Sequence, residues 1–161
     1  MNKAVFIDRD GVINHDLDNN YVYRPEDIII NPGIPELLSY LKKKAYLIII
    51  ISNQGGIGKG IYSMDDTEKT NARILNLLAD YKIVPEEIYY CPHHPESGRC
   101  ICRKPDTLLI EKAISRFKIE VSKSYFIGDR ETDMEAGKKA GLKCLRVKAN
   151  QDMGSMISLI S

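Results

Sequence analysis

Hydrophobic positions along the chain fall into two alternating patterns. Short, mainly apolar runs at 4–7, 45–51, 88–90, 124–127 and 143–147 are rich in Ile, Val, Tyr and Phe. They do not alternate with polar residues, which predicts strands buried on both faces. Between them, apolar residues return at helical spacing. Ile34, Leu37, Leu38 and Leu41 form one such stripe, with Pro35 in its first turn. Ile74, Leu77, Leu78 and Tyr81 form a second, preceded by Ser63 and Asp66 at capping-box spacing. Ile110, Ala113, Ile114 and Phe117 form a third, and a short helix over 133–140 is closed by Gly141. Strands alternating with helices predict right-handed crossovers and a doubly wound α/β fold, a parallel sheet with helices on both faces. No repeat, low-complexity stretch or Pro/Gly/Ser-rich linker divides the chain, so residues 1–161 read as one domain.

Composition narrows the function. Lys and Arg number 23 against 22 Asp and Glu, a net charge of +1. A nucleic-acid binder or polybasic membrane module would carry a large positive excess. The longest apolar run, 45–51, is far too short to span a bilayer. The first residues show no apolar leader segment, so a cytoplasmic protein is expected, acting as a monomer on a small molecule. Three of the 4 cysteines crowd into 91–102, which in a reducing compartment reads as metal ligation before disulfide bonding.

The polar residues that follow the strands carry the chemistry. In open α/β sheets ligands bind beyond the carboxyl ends of the strands. The first strand runs into Asp8-Arg9-Asp10-Gly11, the second into Ser52-Asn53-Gln54-Gly55-Gly56, the third into Cys91-Pro92-His93-His94, and the fourth into Gly128-Asp129-Arg130-Glu131-Thr132-Asp133. Asp8 and Asp10 point the same way in extended chain, and Asp129 and Asp133 can meet them. Singly, each aspartate reads as a cap or turn residue. Together, carboxylates at one sheet edge call for a hard cation such as Mg²⁺. Ser52 and the glycine-rich turn after it suit a phosphate group, and Lys104 can neutralise its charge. Cys91, Cys100, Cys102 and one of His93 or His94 make a compact zinc set of the closed, structural kind; spacing does not choose between the histidines. Cys144 lies in a strand pattern and reads as core.

Taken together, these residues resemble the haloacid-dehalogenase-like (HAD) superfamily of phosphohydrolases, whose four motifs can be laid over residues 3–148 in order. Within it, Asp-Arg-Asp-Gly, Ser-Asn-Gln and Cys-Pro-His…Cys-x-Cys-Arg-Lys-Pro are similar to the group holding the D,D-heptose 1,7-bisphosphate and histidinol-phosphate phosphatases. The resemblance implies that His93 is the zinc ligand. It implies that Asp8 is the nucleophile, Asp10 the general acid and base, and Asp8, Asp129 and the Asp10 carbonyl the Mg²⁺ ligands. Ser52 and Lys104 then stabilise the phosphoryl group, while Asp133 positions Lys104 or the metal's waters, or caps its helix. Candidate substrate contacts are Asn53, Gln54, Gly55, Lys59, Arg103 and Arg130.

The short segment between His93 and Cys100 and the Gly128–Asp133 wording lean towards histidinol phosphate. Gly-Ile-Gly-Lys-Gly followed by Ile-Tyr-Ser leans towards the heptose group. No cap domain has room between the motifs, so specificity is expected from loops near 14–24, 55–62 and 92–103, the loop from Asn14 to Tyr21 being slightly long. Their cations Arg24, Lys59, Arg99 and Arg103, partly opposed by Asp16 and Asp18, favour a second phosphate. The expected reaction is therefore removal of the C7 phosphate from a heptose 1,7-bisphosphate. A non-catalytic receiver-like or zinc-loop module is the rival from another class. Receivers carry the reactive aspartate on a middle strand, a place expected here at Cys91.

Overall fold

The computed structural model describes residues 1–18 and 21–161. Five parallel strands, β1 (Lys3–Ile7), β2 (Tyr46–Asn53), β3 (Glu87–Cys91), β4 (Tyr125–Gly128) and β5 (Lys143–Arg146), lie in the order β3-β2-β1-β4-β5. Each apolar run became a strand with ends moved by one or two residues, the scatter expected of such boundaries.

The helices are α1 (Ile34–Lys43), α2 (Gly55–Gly58), α3 (Met64–Ala79), α4 (Leu108–Phe117) and α5 (Glu131–Lys139). The capping box that opens α3 is formed: Asp66 donates its N–H to Ser63 Oγ at 3.1 Å, and Ser63 donates its N–H to Asp66 Oδ2 at 2.8 Å. The alternation of side chains along β1 sorts the core. Val5 and Ile7 face α1 and α3, with Leu37, Leu38, Ile74 and Leu78. Ala4 and Phe6 face the opposite side, with Ile110 and Ala113 of α4 and Met134 and Ala136 of α5.

Several expectations need correcting. Only the three inner strands are buried throughout or nearly so; β3 is half-buried along most of its length, and β5 has exposed Lys143 and Arg146 at its ends. Both are sheet edges, where one flank lacks a neighbouring strand. Tyr81 lies past the end of α3 and is exposed. Cys144 is half-buried against the second core face rather than enclosed by it. Among the elements without a periodic signal are α2 and a 3₁₀ segment at Met153–Leu159 that packs Met153 and Met156 onto the first core face. Cys91 closes the edge strand β3, and the middle strand β1 is the one that runs into Asp8. Strand position therefore does not separate this chain from a receiver; the Cys/His set does. Among the described residues, no helix is long and apolar enough to cross a membrane.

Candidate active site

The strand order reverses between β1 and β4, the crevice where such sheets bind ligands. Ile7 pairs with Ile127, so Asp8 comes opposite Gly128 and Asp129 follows at the next position. The Asp8 N–H donates to the Ile127 carbonyl at 3.1 Å. Carboxylate oxygens of Asp8, Asp129 and Asp133 all lie within 4.8 Å of one another.

Glycines permit this crowding. A Cβ on Gly11, whose φ is +90°, would stand 2.5 Å from Asp129 Oδ2, and one on Gly128 would stand 2.4 Å from the Asp133 Cβ.

One lysine lies among these acids. Lys104 Nζ donates to Asp8 Oδ1 at 2.8 Å and to the Ile51 carbonyl at 3.0 Å, and pairs with Asp133 Oδ1 at 2.6 Å. Burial alone would lower the lysine's pKa, but Asp8 and Asp133 more than offset it and raise it. Burial first, then Asp133 and Asp129, push Asp8 well above the usual carboxylate range against the pull of Lys104. Asp133 also accepts the Arg130 N–H at 3.1 Å. It thus both pairs with Lys104 and caps α5.

A single lysine does not neutralise three adjacent carboxylates. Asp129 Oδ1 is buried with no hydrogen-bond partner among the described residues, a placement that a bound cation would satisfy. The donor set, all hard carboxylate oxygen, fits Mg²⁺.

Asp10 is turned towards its own donors. Its carboxylate accepts from Arg9 Nε (2.9 Å), Arg9 Nη2 (3.1 Å), Asn14 Nδ2 (3.0 Å) and Gln54 Nε2 (3.0 Å). Arg9 is fully buried, and its remaining bonds go to Asn71 Oδ1 and the Val22 carbonyl. Gln54 is held in turn by Tyr62, whose hydroxyl donates to Oε1 at 2.5 Å, and its Nε2 also reaches Ser52 Oγ at 2.7 Å.

At the end of β3 and in the segment that follows it, Cys91, His93, Cys100 and Cys102 bring their donor atoms within 4.8 Å of one another. His93 Nδ1 lies 3.4 Å from Cys91 Sγ and 3.2 Å from Cys102 Sγ. All of these cysteines are free. Three thiols and one imidazole gathered in this way fit tetrahedral zinc. His94 points elsewhere: its Nδ1 accepts the Glu96 N–H at 3.1 Å.

A cavity of about 800 Å³ opens over the carboxylates. Its walls include Asp8, Asp10, Asn53, Gly55, Arg103, Lys104, Arg130 and Asp133. Several expected contacts do not reach it. Lys59 stands exposed on the turn after α2, and Arg24 lies on the surface over the Tyr23 ring. Gln54 and Ser52 are buried beneath the wall, at 2% and 1% exposure. Of the expected cations, Arg99 and Arg103 do line the cavity, joined by Arg130. From the 14–24 loop come Asp16, Tyr21 and Val22, while Asp18 is exposed outside it; residues 19 and 20 lie outside the described residues.

The family model described as HAD-hydrolase-like matches residues 101–157. The D-glycero-beta-D-manno-heptose-1,7-bisphosphate 7-phosphatase of Helicobacter pylori (strain J99) is 41% identical over 143 residues, covering 88% of this chain and 80% of that protein. The chain belongs to the HAD-like phosphatase family. The enzyme of the same name from Haemophilus ducreyi is 37% identical over 147 residues, covering 88% of this chain and 80% of its own. Among solved structures, the D,D-heptose 1,7-bisphosphate phosphatase of B. bronchiseptica, complexed with magnesium and phosphate, superposes with a TM-score of 0.85 at 26% identity. That match covers 97% of this chain and 86% of the other. This chain is accordingly a HAD-like phosphatase.

Proposed function

We propose that this phosphatase removes the C7 phosphate from D-glycero-D-manno-heptose 1,7-bisphosphate by way of an aspartyl phosphate on Asp8. The observation that carries this reading is the meeting of Asp8, Asp129 and Lys104 at the β1/β4 crevice, under a cavity also walled by arginines. The names of the relatives supply the sugar. Near-balanced charge supports a cytoplasmic enzyme acting on a small substrate rather than on nucleic acid. Residues 1–161 would act as one domain with 91–102 as its zinc-bound loop.

Asp8 Oδ attacks phosphorus as the bond to the sugar oxygen breaks, and Asp10 gives that oxygen its proton. Water then attacks the aspartyl phosphate, Asp10 takes the water's proton, and phosphate leaves. Lys104 binds the equatorial oxygens, where transition-state charge gathers. Ser52 supports this subsite from beneath the wall. Asp8, Asp129 and the Asp10 carbonyl would hold Mg²⁺, whose charge lets an anionic nucleophile meet an anionic ester. Cys91, His93, Cys100 and Cys102 would hold zinc, which orders a loop too poor in apolar residues to fold alone. That loop presents Arg103, and Arg103 Nη1 donates back to the His93 carbonyl at 3.2 Å. Arg103, with Arg99 and Arg130, faces the far phosphate; Asn53 and Gly55 form the wall between the two ends.

Phosphate release measured with Mg²⁺ over sugar bisphosphates, sugar monophosphates and histidinol phosphate tests the reading. Heptose 1,7-bisphosphate should give the highest kcat/KM, with turnover abolished by EDTA. Preference for histidinol phosphate would reject the sugar assignment.

A further inference from the structure

Asn150 follows β5 in a left-handed conformation, φ 64°, outside every apolar stripe and motif of the sequence. Its side chain closes a reciprocal pair of bonds with a distant loop. Nδ2 donates to the Asp16 carbonyl at 3.1 Å, and Oδ1 accepts the Asp16 N–H at 2.7 Å. The Asn150 N–H donates to the Gly11 carbonyl at 2.8 Å. One residue therefore ties down both ends of the stretch between the catalytic aspartates and Asp16. Asparagine is among the few side chains that take this backbone conformation readily.

Asp16 needs such support because of where it stands. It lines the cavity with its side chain 20% exposed, and the cation it faces, Arg130 Nη2, is 3.8 Å away, beyond hydrogen-bonding distance. Among the described residues no side chain or backbone N–H donates to the Asp16 carboxylate; Asp16 bonds to Asn150 through its backbone. A carboxyl group in a cavity wall suits hydroxyl donors, and hydrogen bonds to a charged acceptor are the strong ones. The site contains the same device elsewhere: the Asn53 amide brackets the backbone of Lys104 with the same pair of bonds.

We infer that Asn150 is a positioning residue that holds Asp16 where its carboxylate accepts hydrogen bonds from substrate hydroxyls. The pair thereby selects polyhydroxylated phosphate esters. This rests on the sugar-phosphate reading above.

Steady-state kinetics with Mg²⁺ on heptose 1,7-bisphosphate, fructose 1,6-bisphosphate and p-nitrophenyl phosphate tests it, using Asn150→Gly, Asp16→Ala and the double variant. Asn150→Gly keeps the left-handed backbone and removes only the amide. Each single variant should raise KM for both sugars about tenfold, the worth of one hydrogen bond to a charged group. For p-nitrophenyl phosphate, which has no hydroxyl, the rise should stay under about twofold. The double variant should be no worse than either single one, as expected of residues acting as a unit. Equal losses on all three substrates, additive effects, or an unchanged sugar KM in the Asp16→Ala protein would overturn the inference. Should wild type cleave fructose bisphosphate but not the heptose, the substrate assignment fails, while the pair is still decided on fructose.

Discussion

Asn53 holds the backbone of Lys104 from both sides: its Oδ1 accepts the Lys104 N–H at 3.0 Å and its Nδ2 donates to the Lys104 carbonyl at 3.2 Å. β2 ends at Asn53, so a rigid strand fixes a lysine that arrives on a long loop. The ammonium can then meet Asp8 and Asp133 without the loop's own freedom blurring the contact. Asn53→Ala should lower kcat by about 100-fold, the cost of a misplacement on the order of 1 Å. KM should change little and the thermal midpoint by only a few degrees. Stopped-time phosphate release over a substrate series checks this, and a pure KM effect would place Asn53 on the substrate instead.

Asp8 shows the stability cost of the site. Its pKa is raised above the ordinary 3.8, by burial and then by Asp133 and Asp129. Protonated Asp8 thus favours the fold below that ordinary value, and the advantage is lost as pH rises through the raised folded pKa. At neutral pH without metal, the ionised group is a liability. Asp8→Asn should abolish turnover while raising Tm in EDTA by about 2–4 °C, the shift given by ~1 kcal/mol in a chain of this size. A scan in EDTA from pH 4 to 8 should show the variant's advantage growing with pH. A lower Tm than wild type at neutral pH would contradict it.

Metal analysis of protein purified without chelator should find about one zinc per chain. Cys100→Ser should lose that zinc and disorder Arg103 with the loop, leaving the sheet intact by far-ultraviolet circular dichroism. Zinc-free wild-type protein with all cysteines reduced would reject the site.

Arg103 tests the far end of the cavity. Arg103→Ala should raise KM for a bisphosphate by about tenfold or more, as loss of a bond to a charged group implies. For a monophosphate of the same sugar the change should be small. Equal effects on the two would remove the distal phosphate from Arg103.

Much of this was legible in the sequence because it lay in local pattern. Apolar runs marked β1 to β5, and helical stripes marked α1, α3 and α4. Topology then brought Asp8 and Asp129 together, since both follow strands that become neighbours. What stayed hidden depends on distant partners. Arg9 sits in plain view between two aspartates, yet its burial rests on Asn71 and the Val22 carbonyl. Tyr62 reads as an ordinary loop aromatic until its hydroxyl fixes the Gln54 amide. Gln54 stands in a motif, and Lys59 in a loop, that suggest substrate contact. The turn of α2 carries Lys59 outwards, and Tyr62 and Asp10 draw Gln54 inwards.

On the proposed reaction, phosphate leaves C7 while the C1 phosphate stays bound at the arginine end. Phosphorus NMR of heptose 1,7-bisphosphate incubated with the enzyme and Mg²⁺ tests it most directly. The C7 resonance should disappear as inorganic phosphate grows, leaving the C1 resonance in full. Loss of the C1 resonance first, or no release from this substrate at all, would contradict the account.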